Sequence, residues 1–187
     1  MDEPWTAPGT LGEPQGGAFR IATLGVLALV GFAAAGRTLG YVAWLSSASP
    51  ATIRVVAAGW MSMALLGTPV WVYWHWRAAS NLVGRGVVLS SSPAIHAFGW
   101  FIPLVNLVVP FRATRELVRA STGIESRAEI GLWWATSVIG AVLGAVSTRV
   151  GHDAMRVILS IQVPFSITAN CLYLWIVWTV WRAQTTR

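Results

Sequence analysis

Four arginines are the side chains best placed for chemistry. Arg77, Arg112, Arg115 and Arg119 stand outside the long apolar stretches, and Arg112, Arg115, Glu116 and Arg119 share one side of a short segment. A guanidinium is a planar, permanently charged fork that grips a phosphate with two donors at once. The grouping therefore points to an anionic lipid headgroup or a partner protein. The competing reading is ordinary flanking charge at a membrane edge, with Arg112 and Glu116 paired at i,i+4.

A second pattern lies near the C-terminus. Gln162, Ser166 and Asn170 recur every four residues around Pro164, so a helix would align them on one face. Such a stripe can line a polar path, but hydrogen bonding to a neighbouring helix is the commoner use. Thr136, Gly140, Gly144 and Thr148 form a small-residue face that would suit close packing against it, or against a second copy. The carboxylates, at positions 2, 3, 13, 116, 125, 129 and 153, all fall outside the apolar runs, which argues against an ion-coupled pump.

Catalytic and metal patterns are missing. His75, His96 and His152 have no metal-ligand spacing, and Cys171 stands alone. Ser90-Ser91-Ser92 reads as loop and cap chemistry rather than a nucleophile elbow, and Gly84-Arg85-Gly86 lacks the lysine and helix of a phosphate loop. The expectation is a non-enzymatic protein without metal or cofactor.

These residues are set in a strongly apolar chain. Of 187 residues, 55% are hydrophobic and 11% charged, with twelve Trp, against about 25% charged in a soluble domain. Mean hydropathy is +0.60. The net charge of +6 comes from arginines at the ends of apolar stretches rather than in one stripe, which excludes a nucleic-acid surface. The composition is that of an integral membrane protein, and backbone groups in lipid must pair internally, so its spans are helices.

Spans are expected over 19–45, 55–76, 130–148 and 155–181, behind a flexible Pro/Gly-rich tail, 1–18. The stretch 93–111 is long enough to cross, but Pro93, Gly99, Pro103, Asn106 and Pro110 interrupt it. Charge arbitrates. If this stretch does not cross, Arg20, Arg77, Arg85, Arg112, Arg115, Arg119, Arg127, Arg182 and Arg187 share one side, against Arg54, Arg149, Arg156 and an outward-snorkelling Arg37. The same topology gathers Trp71, Trp74, Trp76, Trp133, Trp134, Trp175, Trp178 and Trp181 at one face as an aromatic belt. Residues 93–121 then form a re-entrant or interfacial element. Ser92 caps a helix opened by Pro93, Pro103 stops it, and Asn106 bridges the freed backbone groups. Pro110 starts a basic amphipathic helix that ends near Gly123 and lies on the membrane.

Several motifs occur in order through this region: Trp74-His75-Trp76-Arg77-Ala78-Ala79-Ser80-Asn81, Ser92-Pro93, Trp100-Phe101-Ile102-Pro103-Leu104-Val105-Asn106-Leu107, Pro110-Phe111, and Arg115-Glu116-Leu117 before Arg119-Ala120-Ser121. Together they resemble the bacterial membrane-protein family called domain of unknown function 4328, over roughly residues 60 to 150. Phe111 stands where that family usually has Tyr, and Val118 where it has Trp. The resemblance implies a multi-span membrane domain and no particular activity.

The sequence thus predicts an all-α, integral membrane four-helix bundle with a Pro-broken re-entrant or interfacial segment, in the bacterial inner membrane with both termini cytoplasmic. Its expected role is to bind anionic lipid or a partner protein at the cytoplasmic face, with a homo-oligomer or a membrane partner protein as the candidate assemblies. The alternative is an oligomeric permeation protein for small solutes or ions, with Asn106 set against the Gln162–Asn170 stripe.

Overall fold

The computed structural model describes residues 16–45, 50–102 and 107–186. Among them the chain is all-helical: α1 (Gly16–Leu45), α2 (Pro50–Gly84), α3 (Pro93–Phe98) running into a 3-10 turn (Gly99–Phe101), α4 (Val109–Thr122), α5 (Arg127–Ser147) and α6 (His152–Thr185). Most of the tail, together with Pro103 and Asn106, lies outside the described residues.

Among the described residues, three helices are long and apolar enough to cross a membrane, over Gly17–Val42, Arg127–Ser147 and Asp153–Thr185. They carry apolar side chains on their outer faces as well as their inner ones: Ile21, Phe32, Val142 and Val157 all stand outward. A helix apolar all round suits a membrane span or the interior of a larger assembly rather than a water-facing surface. Helix α1 packs along α2 and α6, and α5 packs along α6.

Several helices outrun the apolar runs that announce them. Helix α1 starts at Gly16, within the expected tail, and its Phe19 is buried. Helix α2 continues eight residues past Trp76 to Gly84, because Ala78, Ala79, Leu82 and Val83 are buried against the rest of the molecule. It stops in a turn closed by Gly86 N–H to Val83 O (2.9 Å), with Gly86 at φ 77°, where a Cβ would be strained.

The connecting segment folds as its punctuation directs. The Ser92 hydroxyl accepts the Ile95 N–H at 3.4 Å and Pro93 occupies the first turn of α3. Pro110 opens α4, and Gly123 closes it in the left-handed region at φ 75°, its N–H donating to Arg119 O at 2.8 Å. Helix α4 lies against α6, α5, α2, α3 and the 3-10 turn, forming a cap across one end of the bundle. Its apolar side, with Ala113, Thr114, Leu117, Val118 and Ser121, is buried in the protein. This corrects the expectation that the helix lays that face on a membrane surface. Amphipathicity guarantees only that a face will be covered, and here the ends of α2 and α6 cover it.

Candidate functional site

The junction between the cap and the bundle gathers His75, Asn81, His96, Glu116 and Gln184. At its centre, His75 is fully buried. Its ring lies 4.3 Å from Trp71, 4.9 Å from Trp74, 5.3 Å from Trp100 and 6.2 Å from Tyr173, centroid to centroid. Nδ1 sits 3.1 Å from Trp71 O, so Nδ1 carries the proton, while Nε2 is buried without a partner. Trp100 also contacts Trp133 and Trp134, and its N–H donates to His96 O at 3.1 Å. The eight tryptophans do gather at one end, but they divide into two sets. Trp74 and Trp133 are interior, whereas Trp76, Trp175 and Trp178 stand partly outward.

Glu116 is the second node. Its carboxylate accepts the Ser90 N–H and, at 2.8 Å, the Ser90 hydroxyl. His96, fully buried, brings Nε2 to 3.2 Å from Glu116 Oε2, with its N–H off the line of a regular hydrogen bond. Burial alone would push the Glu116 carboxyl up, but His96 and the two Ser90 donors outweigh that and hold it below its ordinary value. The expected Arg112–Glu116 pair therefore does not form. An exposed arginine in water competes poorly with two fixed donors and a buried ring.

A third node ties the ends of α2, α4 and α6 together. The Gln184 amide donates to Ala78 O at 3.1 Å and to Ser121 Oγ at 2.9 Å, and its oxygen accepts from Asn81 Nδ2 at 3.3 Å. The Arg85 guanidinium donates to Gln184 O. The second and third nodes escaped sequence reasoning, because their partners lie far apart along the chain.

The arginines are not equivalent. Arg115 donates to Glu125 through Nε at 3.0 Å and through its terminal nitrogen, which lowers the Glu125 carboxyl, and Arg127 Nε is 3.8 Å from the same oxygen. Arg112 and Arg119 are exposed on the outer side of α4. Arg77 lies with its guanidinium carbon 5.7 Å from the centroid of the Trp76 ring, its Nε buried without a partner.

The expected polar stripe is divided. Gln162 Nε2 donates to Gly140 O at 3.0 Å, and a Cβ placed on Gly144 would come within 2.8 Å of that nitrogen. One placed on Gly140 would come within 3.3 Å of Ser166 Oγ. These two stripe residues thus serve the close packing of α5 on α6 that the small-residue face predicts. Asn170 instead borders a separate apolar cleft of about 250 Å³ between α1 and α2. Arg37 is half-buried and engaged. Among the described residues, no three His, Cys, Asp or Glu side chains are grouped as metal ligands.

The motif residues Trp74, Asn81, Pro93, Trp100, Pro110 and Glu116 thus converge on the cap–bundle junction, and Arg77 sits beside it. The profile of the family described as Domain of unknown function (DUF4328) matches residues 37–169. The chain belongs to that family. No curated protein and no solved structure matches it. In this DUF4328 chain the ordered motifs act as a lock. Tryptophans seat the aromatic interior, Ser92-Pro93 starts α3, Asn81 binds Gln184, and the Glu of Arg115-Glu116-Leu117 straps the Ser90 loop to the cap. Val118, where the family usually has Trp, is buried, so the smaller side chain is packed rather than exposed.

Proposed function

We propose that this protein is a non-enzymatic, four-span protein of the bacterial inner membrane, with both termini cytoplasmic, whose capped face binds anionic lipid headgroups. Helix α2 supplies the fourth span, through its apolar run 55–76. One observation carries the reading. The apolar side of α4 is already occupied by the bundle, so Arg112 and Arg119 project outward at the end where Trp76, Trp175 and Trp178 are partly exposed. Cations beside an aromatic girdle suit the phosphate level of a bilayer. Arg115, expected in the same role, is committed to Glu125 and contributes less. The permeation reading loses support, since the Gln162 amide is engaged by Gly140 O and Ser166 is buried against Gly140.

Native mass spectrometry of protein released from nanodiscs of mixed phosphatidylglycerol and phosphatidylcholine tests the binding. Each arginine at an anionic surface contributes about 1 kcal/mol. Arg112→Ala with Arg119→Ala should therefore weaken phosphatidylglycerol retention by roughly thirtyfold, and Arg115→Ala by much less. Equal retention in all three proteins would discard the reading. The topology has its own check: a reporter active only in the cytoplasm, inserted after Gly123, should give signal, and a silent fusion that is still inserted and stable would reverse the orientation.

A further inference from the structure

Where α4 ends against α6, a groove of about 560 Å³ runs along α6. Trp175, Trp178, Thr179, Arg182 and Thr186 line it from one side, and Thr122, the last residue of α4, from the other. Positions 175, 178, 182 and 186 recur at helical spacing, so the groove follows α6 for about 16 Å. Its lining is ordered. Two indoles, each more than a third exposed, form the half nearer the middle of α6, and Arg182 and Thr186 form the half toward its C-terminus.

Arg182 sets the charge of this groove. Among the described residues no carboxylate lines it and none pairs with Arg182. Bare carbonyls at two helix C-termini would oppose an anion here. They are instead hydrogen-bonded: Val118 O accepts the Thr122 hydroxyl at 2.8 Å, Arg119 O the Gly123 N–H at 2.8 Å, and Arg182 O the Thr186 N–H at 3.1 Å and its hydroxyl at 2.8 Å. Those bonds use the hydroxyl protons of Thr122 and Thr186, which leaves the exposed Arg182 guanidinium as the charged donor in the lining.

We infer that this groove seats one anionic phospholipid, with its phosphate on Arg182 and an acyl chain along Trp178 and Trp175. The inference deepens the lipid-binding reading and rests on its placement of this end of the bundle at the headgroup level. Both halves of the lining select the occupant. A free phosphate would use Arg182 and leave the indoles uncovered, and a neutral apolar molecule would do the reverse. A phospholipid supplies both in the order the groove requires. Phosphate oxygens accept two parallel donors from one guanidinium. A choline headgroup would add a second cation beside Arg182, so phosphatidylglycerol is favoured over phosphatidylcholine. Arg119 stands one turn before Thr122 on α4, so the basic side of α4 continues the positive rim. An acyl chain gains little by leaving other lipid, and the discrimination therefore comes from the headgroup contact.

The full chain is placed in phosphatidylcholine nanodiscs carrying a small share of photoreactive phosphatidylglycerol or, separately, photoreactive phosphatidylcholine. Crosslinks are mapped to peptides by mass spectrometry, and retained phosphatidylglycerol is counted on the intact protein. In wild type the segment 175–186 should be labelled about fivefold more by the phosphatidylglycerol probe than by the other. Arg182→Gln should abolish that preference and lower phosphatidylglycerol retention by about fivefold. Arg182→Lys should keep most of both, and Thr179→Phe, which narrows the groove, should cut phosphatidylglycerol labelling of the segment. Arg182 is exposed, so its variants should keep the wild-type unfolding midpoint, and that match qualifies them for scoring. A preference that survives Arg182→Gln overturns the inference, as does equal labelling of wild type by the two probes. An unlabelled segment in a crosslinked dimer also overturns it and assigns the groove to a second copy. The α4 surface is judged separately. Retention that falls in Arg112→Ala/Arg119→Ala but not in Arg182→Gln discards this site and leaves that surface, and the opposite result discards the surface and leaves the site.

Discussion

Trp74→Ala should destabilise the folded protein by about 3–5 kcal/mol, the range for deleting a large aromatic side chain from a packed interior. The indole is fully buried where α1 meets α2. Its N–H donates to Thr23 Oγ1 at 3.0 Å, and the Thr23 hydroxyl in turn donates to Phe19 O at 2.9 Å. The ring stacks on Phe19 at 6.3 Å and meets the His75 ring edge-on at 4.9 Å. In a membrane the unfolded reference is already apolar, so the loss is mainly one of packing and of the buried hydrogen bond. Two companions separate these terms. Trp74→Phe keeps much of the volume and forfeits the bond, for about 1 kcal/mol plus a smaller cavity. Thr23→Val should cost about 1 kcal/mol through the same bond. The measurement is the unfolding midpoint in mixed detergent and sodium dodecyl sulfate, with Trp178→Ala as the reference, since that side chain is partly exposed. A Trp74→Ala midpoint equal to that of Trp178→Ala would remove Trp74 from the core of the junction.

The parts of this fold legible in the sequence are those governed by local rules. Ser92-Pro93, Pro110 and Gly123 each mark a helix end, because capping chemistry and backbone sterics act within a few residues. The small-residue face of α5 also finds its partner, since close backbone approach and the Gln162 amide both point to α6. What stayed hidden was decided at long range. Asn81 and Gln184 are 103 residues apart, and Ser90 and Glu116 are 26 apart. The i,i+4 rule nominates Arg112 for Glu116, but it counts only candidates on the same helix. Amphipathicity likewise reports that α4 has an apolar face without saying whether lipid or protein covers it. The tryptophans near one end satisfy an interfacial belt and an aromatic interior equally well in sequence, and only packing separates Trp74 from Trp178.

Glu116→Ala is expected to loosen the cap and to do so in a pH-dependent way. The carboxylate holds the Ser90 N–H and hydroxyl and faces His96, so it joins the loop after α2, helix α3 and helix α4 at one point. Its removal leaves the Ser90 donors without an acceptor and a buried imidazole without its acidic neighbour. Hydrogen bonds to charged groups contribute about 1.5–3 kcal/mol each, and part of this one is exposed, so a loss of about 2–3 kcal/mol is expected at neutral pH. The sign of the pH effect follows from the lowered carboxyl. A depressed folded-state value means the ionised form is favoured by folding, so the contribution is fully present above the unfolded value of about 4.3. It is lost as pH falls through the lower folded value. Wild type should therefore lose stability on acidification across that window, while Glu116→Ala, having no carboxyl there, should change less. The gap between the two unfolding midpoints is then widest at pH 7 and narrows below pH 4.3. A gap that stays constant over that range would mean that Glu116 acts through its packing volume and not through its charge.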